Sequence, residues 1–247
     1  MQGRDVRDFS AVRDGLVIRG ETYPGDGAVM IISHGFLSTM ESCREYALAA
    51  ARWGYTAVIF DFCGGAPSSS SDGRSEDMTV FTEVKDLEAV ISFVKKAFPA
   101  RDIVLMGLSQ GGFVSALAAA GRDDISSLVL LYPAFYIPDD SLSGDMLVYR
   151  FDPHNIPGII GEEPMRLGRD YALTMQGFDW EGAVSSYRGK VLILHGTADG
   201  IVDIRYSRRA EELYADARLT ELPGASHGFS GDDLAKALGE IKRFLGG

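Results

Sequence analysis

The chain has 247 residues, 46% of them hydrophobic and 24% charged, and 24 basic against 35 acidic residues give a formal net charge of −11. That length suits one α/β domain with a sizeable core. The acidic balance argues against a nucleic-acid or anionic-membrane partner, and no apolar run approaches the length of a membrane span.

In chain order, Phe9 to Arg19 and then Glu21-Thr22-Tyr23 alternate around Asp14-Gly15, which predicts an antiparallel hairpin at a sheet edge. Ala28 to Ser33 is a continuous apolar strand ending in His34-Gly35-Phe36. Glu41 to Trp53 has helical spacing, and Thr56 to Phe60 is the next buried strand, ending at Asp61. Cys63 to Gly73, rich in Gly and Ser, reads as a surface loop. Val80 to Phe98 is an amphipathic helix with Val84, Leu87, Val90, Ile91 and Val94 on its apolar face. Strand Ile103 to Met106, a small-residue helix from Phe113 to Ala120, and strand Ser127 to Tyr132 follow. From Ala134 to about Arg188 the pattern breaks into short pieces. It recovers as strand Lys190 to Leu194, helix Ile204 to Tyr214, strand Ala217 to Leu222 and helix Leu234 to Leu245.

Buried strands alternating with helices indicate a mostly parallel sheet covered on both faces, with functional loops at the carboxyl ends of its strands. Those ends carry His34-Gly35-Phe36, Asp61, Ser109, Pro133, His195 to Asp199, and the loop containing His227. The start, Met1 to Asp5, leads into polar sequence rather than a signal-peptide core. Cys43 and Cys63 read as free thiols of a cytoplasmic protein. There is no C-x-x-C, H-E-x-x-H or EF-hand spacing, so neither metal nor cofactor is expected.

Gly107-Leu108-Ser109-Gln110-Gly111 stands between a buried strand and a helix, the context of a nucleophile elbow. A serine hydroxyl needs a base, and the base an orienting carboxylate. Of the four histidines, His34 reads as a brace of its loop, His154 as a turn residue and His195 as buried and structural. His227, in the last loop before the final helix, is the candidate base. Asp199 is the candidate acid; Asp203 remains the alternative, although its place at a helix start suits a cap. The backbone N–H groups of Phe36 and Gln110 are the candidate oxyanion donors, each worth roughly 2.7–4 kcal/mol in the transition state.

Together with His195-Gly196-Thr197-Ala198-Asp199 and Gly224-Ala225-Ser226-His227, these motifs resemble the α/β-hydrolase superfamily along nearly the whole chain. Within it the chain is most similar to the small bacterial cinnamoyl/feruloyl esterases. That resemblance rests on Ser71-Asp72-Gly73, Glu76 to Val80, Tyr149 to Pro157 and Leu167-Gly168-Arg169-Asp170-Tyr171. It implies an α/β-hydrolase core over residues 1–134 and 188–247, with an inserted cap over 135–187. It further implies a cofactor-independent serine carboxylic ester hydrolase acting on small-molecule esters that include aromatic-acyl ones; the chain is expected to be a monomer or homodimer. Asp140 and Tyr171 stand where that family contacts the phenolic end of the acyl group; helix capping and cap packing are the alternative roles. The chain departs from the family at Phe62-Cys63-Gly64-Gly65-Ala66-Pro67, expected to be a loop near the acyl site. A thioesterase or peptidase with the same three side chains, or a binding protein on the fold, are the competing readings.

Overall fold

A computed structural model describes residues 5–147 and 149–246; the polar start at residues 1–4 lies outside them. Strands β1 (Arg7–Arg13) and β2 (Leu16–Tyr23) form the expected hairpin, with Arg13 opposite Leu16. Asp14 and Gly15 both have positive φ, at 51° and 85°, which a two-residue hairpin turn requires and Asp-Gly supplies. The alternation then runs β3 (Val29–Ser33), α1 (Arg44–Arg52), β4 (Thr56–Phe60), α2 (Val80–Ala97), β5 (Ile103–Leu108), α3 (Gln110–Ala119) and β6 (Ser127–Leu131).

The irregular stretch holds helix α4 (Ile137–Ser143), ribbon strands β7 (Asp145–Met146) and β8 (Tyr149–Arg150), ribbon strands β9 (Ile159–Ile160) and β10 (Leu167–Gly168), and helices α5 (Arg169–Leu173) and α6 (Trp180–Ser185). Its short pieces are tied together by buried contacts. Tyr149 donates its hydroxyl to Met165 O at 2.7 Å, Gln176 Nε2 donates to Ser141 O and Pro153 O at 3.0 Å each, and Trp180 stacks on Phe135. Strand β11 (Lys190–Gly196), helix α7 (Arg205–Leu213), strand β12 (Ala217–Leu222) and helix α8 (Gly231–Phe244) complete the chain.

The main sheet has the order β1-β2-β4-β3-β5-β6-β11-β12, parallel from β4 to β12, with β2 antiparallel to β4. Every residue of β3, β4 and β5 is buried, as expected of strands covered on both faces. One face packs against α2, α3, α6 and α7; the other packs against α1 and α8. Nearly continuous apolar strands are thus explained by two cores, not one. This is the α/β-hydrolase fold. Among the described residues, no helix is long and apolar enough to cross a membrane.

Two local expectations need correction. Helix α8 begins at Gly231, three residues before the apolar spacing announces it, because its first turn is polar. Asp232 and Asp233 there face the positive end of the helix dipole, a favourable interaction that hydrophobic periodicity does not register. The segment after β4 is a loop, but Phe62 to Ala66 are buried. The Asp61 carboxylate accepts from Met40 N–H, Ser70 N–H and Ser70 Oγ–H, each at 2.7 Å, and Asp72 is paired with Arg19. A glycine- and serine-rich stretch is thereby fixed by the hydrogen bonds of its short side chains.

Asp86 ties three parts of this face together. Its fully buried carboxylate accepts from Arg13 Nε at 2.8 Å and Cys63 N–H at 2.9 Å. Burial pushes its pKa up, and these partners oppose the shift. Asp86→Ala would strand the Arg13 guanidinium and the Cys63 amide, so urea unfolding should show a loss of about 3 kcal/mol or more.

Candidate active site

Ser109 occupies the turn between β5 and α3 with φ +52° and ψ −118°, a backbone conformation that an L-residue with a side chain rarely adopts. The surroundings impose it. A Cβ at Gly107 would run into Gly111 O, and one at Gly111 would run into the carbonyls of Ser33 and His34. The Ser109 N–H donates to Leu131 O at 2.9 Å, and its carbonyl accepts from Gly112, Phe113 and Ala134. With that carbonyl serving the first helical amides, the N–H of Gln110 has no acceptor within its own helix.

The turn after β3 comes close to the serine: a Cβ at Gly35 would lie 3.1 Å from Ser109 Cβ. His34 holds this turn, as expected, from a fully buried position. Its Nδ1 donates to Gly35 O at 2.8 Å, so its Nε2 is free to accept from Phe62 N–H at 3.1 Å. Burial lowers its pKa and favours the neutral ring that this arrangement needs.

His227 and Asp199 reach the serine from the loops after β12 and β11. Ser109 Oγ lies 3.1 Å from His227 Nε2, and His227 Nδ1 lies 2.8 Å from Asp199 Oδ2. A carboxylate only accepts, so the proton sits on Nδ1 and Nε2 accepts from the serine hydroxyl. Gly196 lets the two loops meet, since a Cβ there would strike Ala225 O. Tyr132 packs against the His227 ring at 4.6 Å between centroids. The Asp199 side chain is almost fully buried, and its Oδ1 accepts from the N–H groups of Ile201 and Val202 at 2.8 and 2.9 Å. Burial would raise its pKa, but hydrogen bonds from His195, His227 and those two amides outweigh it and hold the carboxyl well below the usual range.

His195 is buried, as expected, with Nδ1 2.7 Å from Ser207 Oγ and Nε2 3.0 Å from Val202 O. Its Nε2 also stands 3.2 Å from Asp199 Oδ2, the oxygen that His227 Nδ1 meets. Asp203 takes no part in the site. Its side chain is more than half exposed and accepts from Arg205 N–H at 2.9 Å, at the start of α7. Formally, Ile204 occupies the capping position. His154 lies in an exposed turn of the irregular segment. Among the described residues, no cluster of three or more His, Cys, Asp and Glu side chains is placed to hold a metal ion.

Beside Ser109 and Gln110 opens a narrow cleft walled by Phe36, Tyr136, Tyr149 and Tyr171. Phe36 meets Tyr149 edge-on at 6.3 Å and Tyr171 at 6.0 Å. Asp140 and Tyr171, expected from the resemblance, both line this cleft. Burial, with Asp145 nearby, pushes the Asp140 carboxyl up to about 6 against the Leu147 amide it accepts from. The loop at Phe62 to Pro67 departs from the expectation. Gly64, Ala66 and Pro67 line a separate polar cleft with Arg74 and Arg166, not the one beside Ser109.

The model of the family described as serine aminopeptidase, S33, matches residues 26–159, just over half of the chain. The chain belongs to this α/β-hydrolase family. Est1E from Butyrivibrio proteoclasticus, solved with ferulic acid bound, is 30% identical, with a TM-score of 0.89 over 96% of this chain and 97% of its own. A monoglyceride lipase from Rattus norvegicus is 30% identical over 117 residues, 47% of this chain but only 38% of the lipase. The Pyrococcus furiosus esterase Pf2001, 18% identical over 98% of this chain and 91% of its own at a TM-score of 0.75, shares the fold. The family is one of hydrolases, and the relatives include esterases and a lipase of which the chain spans well under half.

The aromatic walls at Tyr136 and Tyr149 come from an insert without periodicity and are not legible in the sequence. Gln110, expected to act through its backbone amide alone, also links Glu83 to Tyr171 through its side chain. A signal for Glu83 was present: it lies three residues after Val80 and four before Leu87, an acid on the apolar stripe of α2. The strain at Ser109 is measurable. Ser109→Gly should be more stable than Ser109→Ala by about 1 kcal/mol in urea unfolding, because glycine relieves a positive φ that alanine retains.

Proposed function

We propose that this α/β-hydrolase is a serine carboxylic ester hydrolase acting through an acyl-enzyme. The observation that carries the reading is the line Ser109 Oγ–His227–Asp199, at 3.1 and 2.8 Å, opening onto an aromatic cleft. Ser109 Oγ attacks the acyl carbon while His227 Nε2 takes the hydroxyl proton, and Asp199 stabilises the resulting imidazolium. The amides of Phe36 and Gln110 hold the oxyanion. The tetrahedral intermediate collapses, and the departing alkoxide takes the proton from His227, leaving the acyl group on Ser109. Water then attacks that ester with His227 as base, and collapse returns the proton to Ser109 as the acid leaves.

The acyl group occupies the cleft under residues 135–187, which act as a cap. Four aromatic walls suit a flat, aromatic acyl chain; Asp140, and the Tyr171 hydroxyl oxygen as an acceptor with its proton given to Gln110, offer polar contacts to its ring substituents. The ferulic acid bound to Est1E, a relative aligned over 97% of its length, supports this substrate class. A second reading, hydrolysis of aminoacyl amides, is favoured by the family description and by Asp140, a cleft carboxylate that an α-ammonium group could meet.

Ser109→Ala should lower kcat toward p-nitrophenyl butyrate by about 10⁴-fold or more while far-UV circular dichroism is unchanged. Retained turnover in that variant, or a wild type that a fluorophosphonate probe leaves unlabelled at Ser109, would defeat the reading. Side by side, kcat/KM for methyl ferulate should exceed those for an acyl-CoA and an aminoacyl anilide by about tenfold or more. A faster anilide reaction would turn the assignment to peptidase.

A further inference from the structure

Behind the elbow, three polar side chains from three different elements meet out of reach of solvent. Glu83 comes from the first turn of α2, Gln110 from the first position of α3 and Tyr171 from α5; each is 3% exposed or less. Gln110 Nε2 donates to Glu83 Oε2 at 2.7 Å and lies 3.9 Å from Met78 Sδ. The Tyr171 hydroxyl donates to Gln110 Oε1. Both polar ends of the Gln110 carboxamide are therefore occupied, and its side chain cannot rotate without breaking a buried hydrogen bond.

We propose that Glu83 is a positioning residue for the reaction: through the Gln110 carboxamide it fixes the elbow amide that faces the oxyanion and the Tyr171 hydroxyl at the cleft wall. The proposal rests on the ester-hydrolase reading of the Ser109 site. Its direction follows from donor and acceptor chemistry. A carboxyl oxygen receives the Gln110 amino group, so the carboxamide oxygen is left for Tyr171, whose single proton is then committed inward. One buried acid thus sets the orientation of two neighbours, one on the elbow and one in the cap.

The charge state of Glu83 gives this arrangement a signature. The titratable groups around it are Asp86 on its own helix and Tyr171 from the cap; Asp86 is in turn paired with Arg13. Burial pushes the Glu83 carboxyl up to about 8, with Asp86 adding to the shift and the Gln110 hydrogen bond opposing it. Near neutral pH the group is the uncharged acid. Raising the pH through about 8 places a buried negative charge against the residue whose amide must stabilise a second one. Turnover is therefore lost on the alkaline side.

The test is the pH profile of kcat and KM for p-nitrophenyl butyrate from about pH 6 to about 9.5, corrected for spontaneous hydrolysis, in wild type, Glu83→Gln and Glu83→Leu. In wild type, kcat should fall above pH 8 with KM little changed. Glu83→Gln keeps an acceptor without a charge and should abolish that fall. Glu83→Leu leaves the Gln110 amino group unpaired and should lower kcat about tenfold at neutral pH, a loss that Glu83→Gln largely rescues. If the leucine variant does not fold, the comparison of wild type with Glu83→Gln decides alone. An active wild type that shares its profile with Glu83→Gln overturns this proposal and leaves the ester reading standing. A wild type with no ester turnover overturns both.

Discussion

Around Ser109 the end of β5, the start of α3 and the turn after β3 approach so closely that Gly107 and Gly111 have no room for a Cβ. That crowding forces the serine into φ +52° and turns its hydroxyl away from the strand toward His227. The rest of the carboxyl edge is arranged against this point. His34 clamps the neighbouring turn, the Ser109 carbonyl gathers three amides, and Gly196 admits the loop bearing His227. A local conformational cost of roughly 1–3 kcal/mol is sustained because every strand beneath it is buried on both faces.

Three carboxyl groups near this point are driven to different states by their surroundings. Asp199 receives two amides and two imidazoles, which outweigh its burial and keep it charged. Glu83 is equally secluded but has one neutral donor and no cation, so burial wins and raises it to about 8. Asp140, half-buried among other acids at the cleft, rises to about 6. Burial acts in the same direction on all three; the number and charge of hydrogen-bond donors decides the outcome.

Much of the fold was readable from pattern. The hairpin at Asp14-Gly15, the buried strands and the stripe on α2 are set by local rules: turn conformation, two-sided burial and the 3.6-residue repeat. The order of serine, acid and base followed from where those strands end. The stretch from 134 to 188 was not readable. Its helices and ribbons are too short for periodicity, and they are held by contacts such as Tyr149 to Met165 that join distant positions. The loop after β4 reads as a surface loop because its order comes from Asp61 and Asp72 reaching back to earlier strands and turns.

The linear order of residues was enough to predict the two-sided parallel sheet and the elbow at Ser109, since each depends on spacing along one strand or one turn; it offered both Asp199 and Asp203 as partners for His227, and the meeting of two separate loops decides for Asp199. It could not establish which side chains wall the cleft, why the loop at Phe62 to Pro67 lines a different one, or that Gln110 bridges Glu83 and Tyr171. Those depend on elements 27 and 61 residues apart in sequence coming into contact. Only packing in three dimensions removes water from such a contact and gives it chemical consequence.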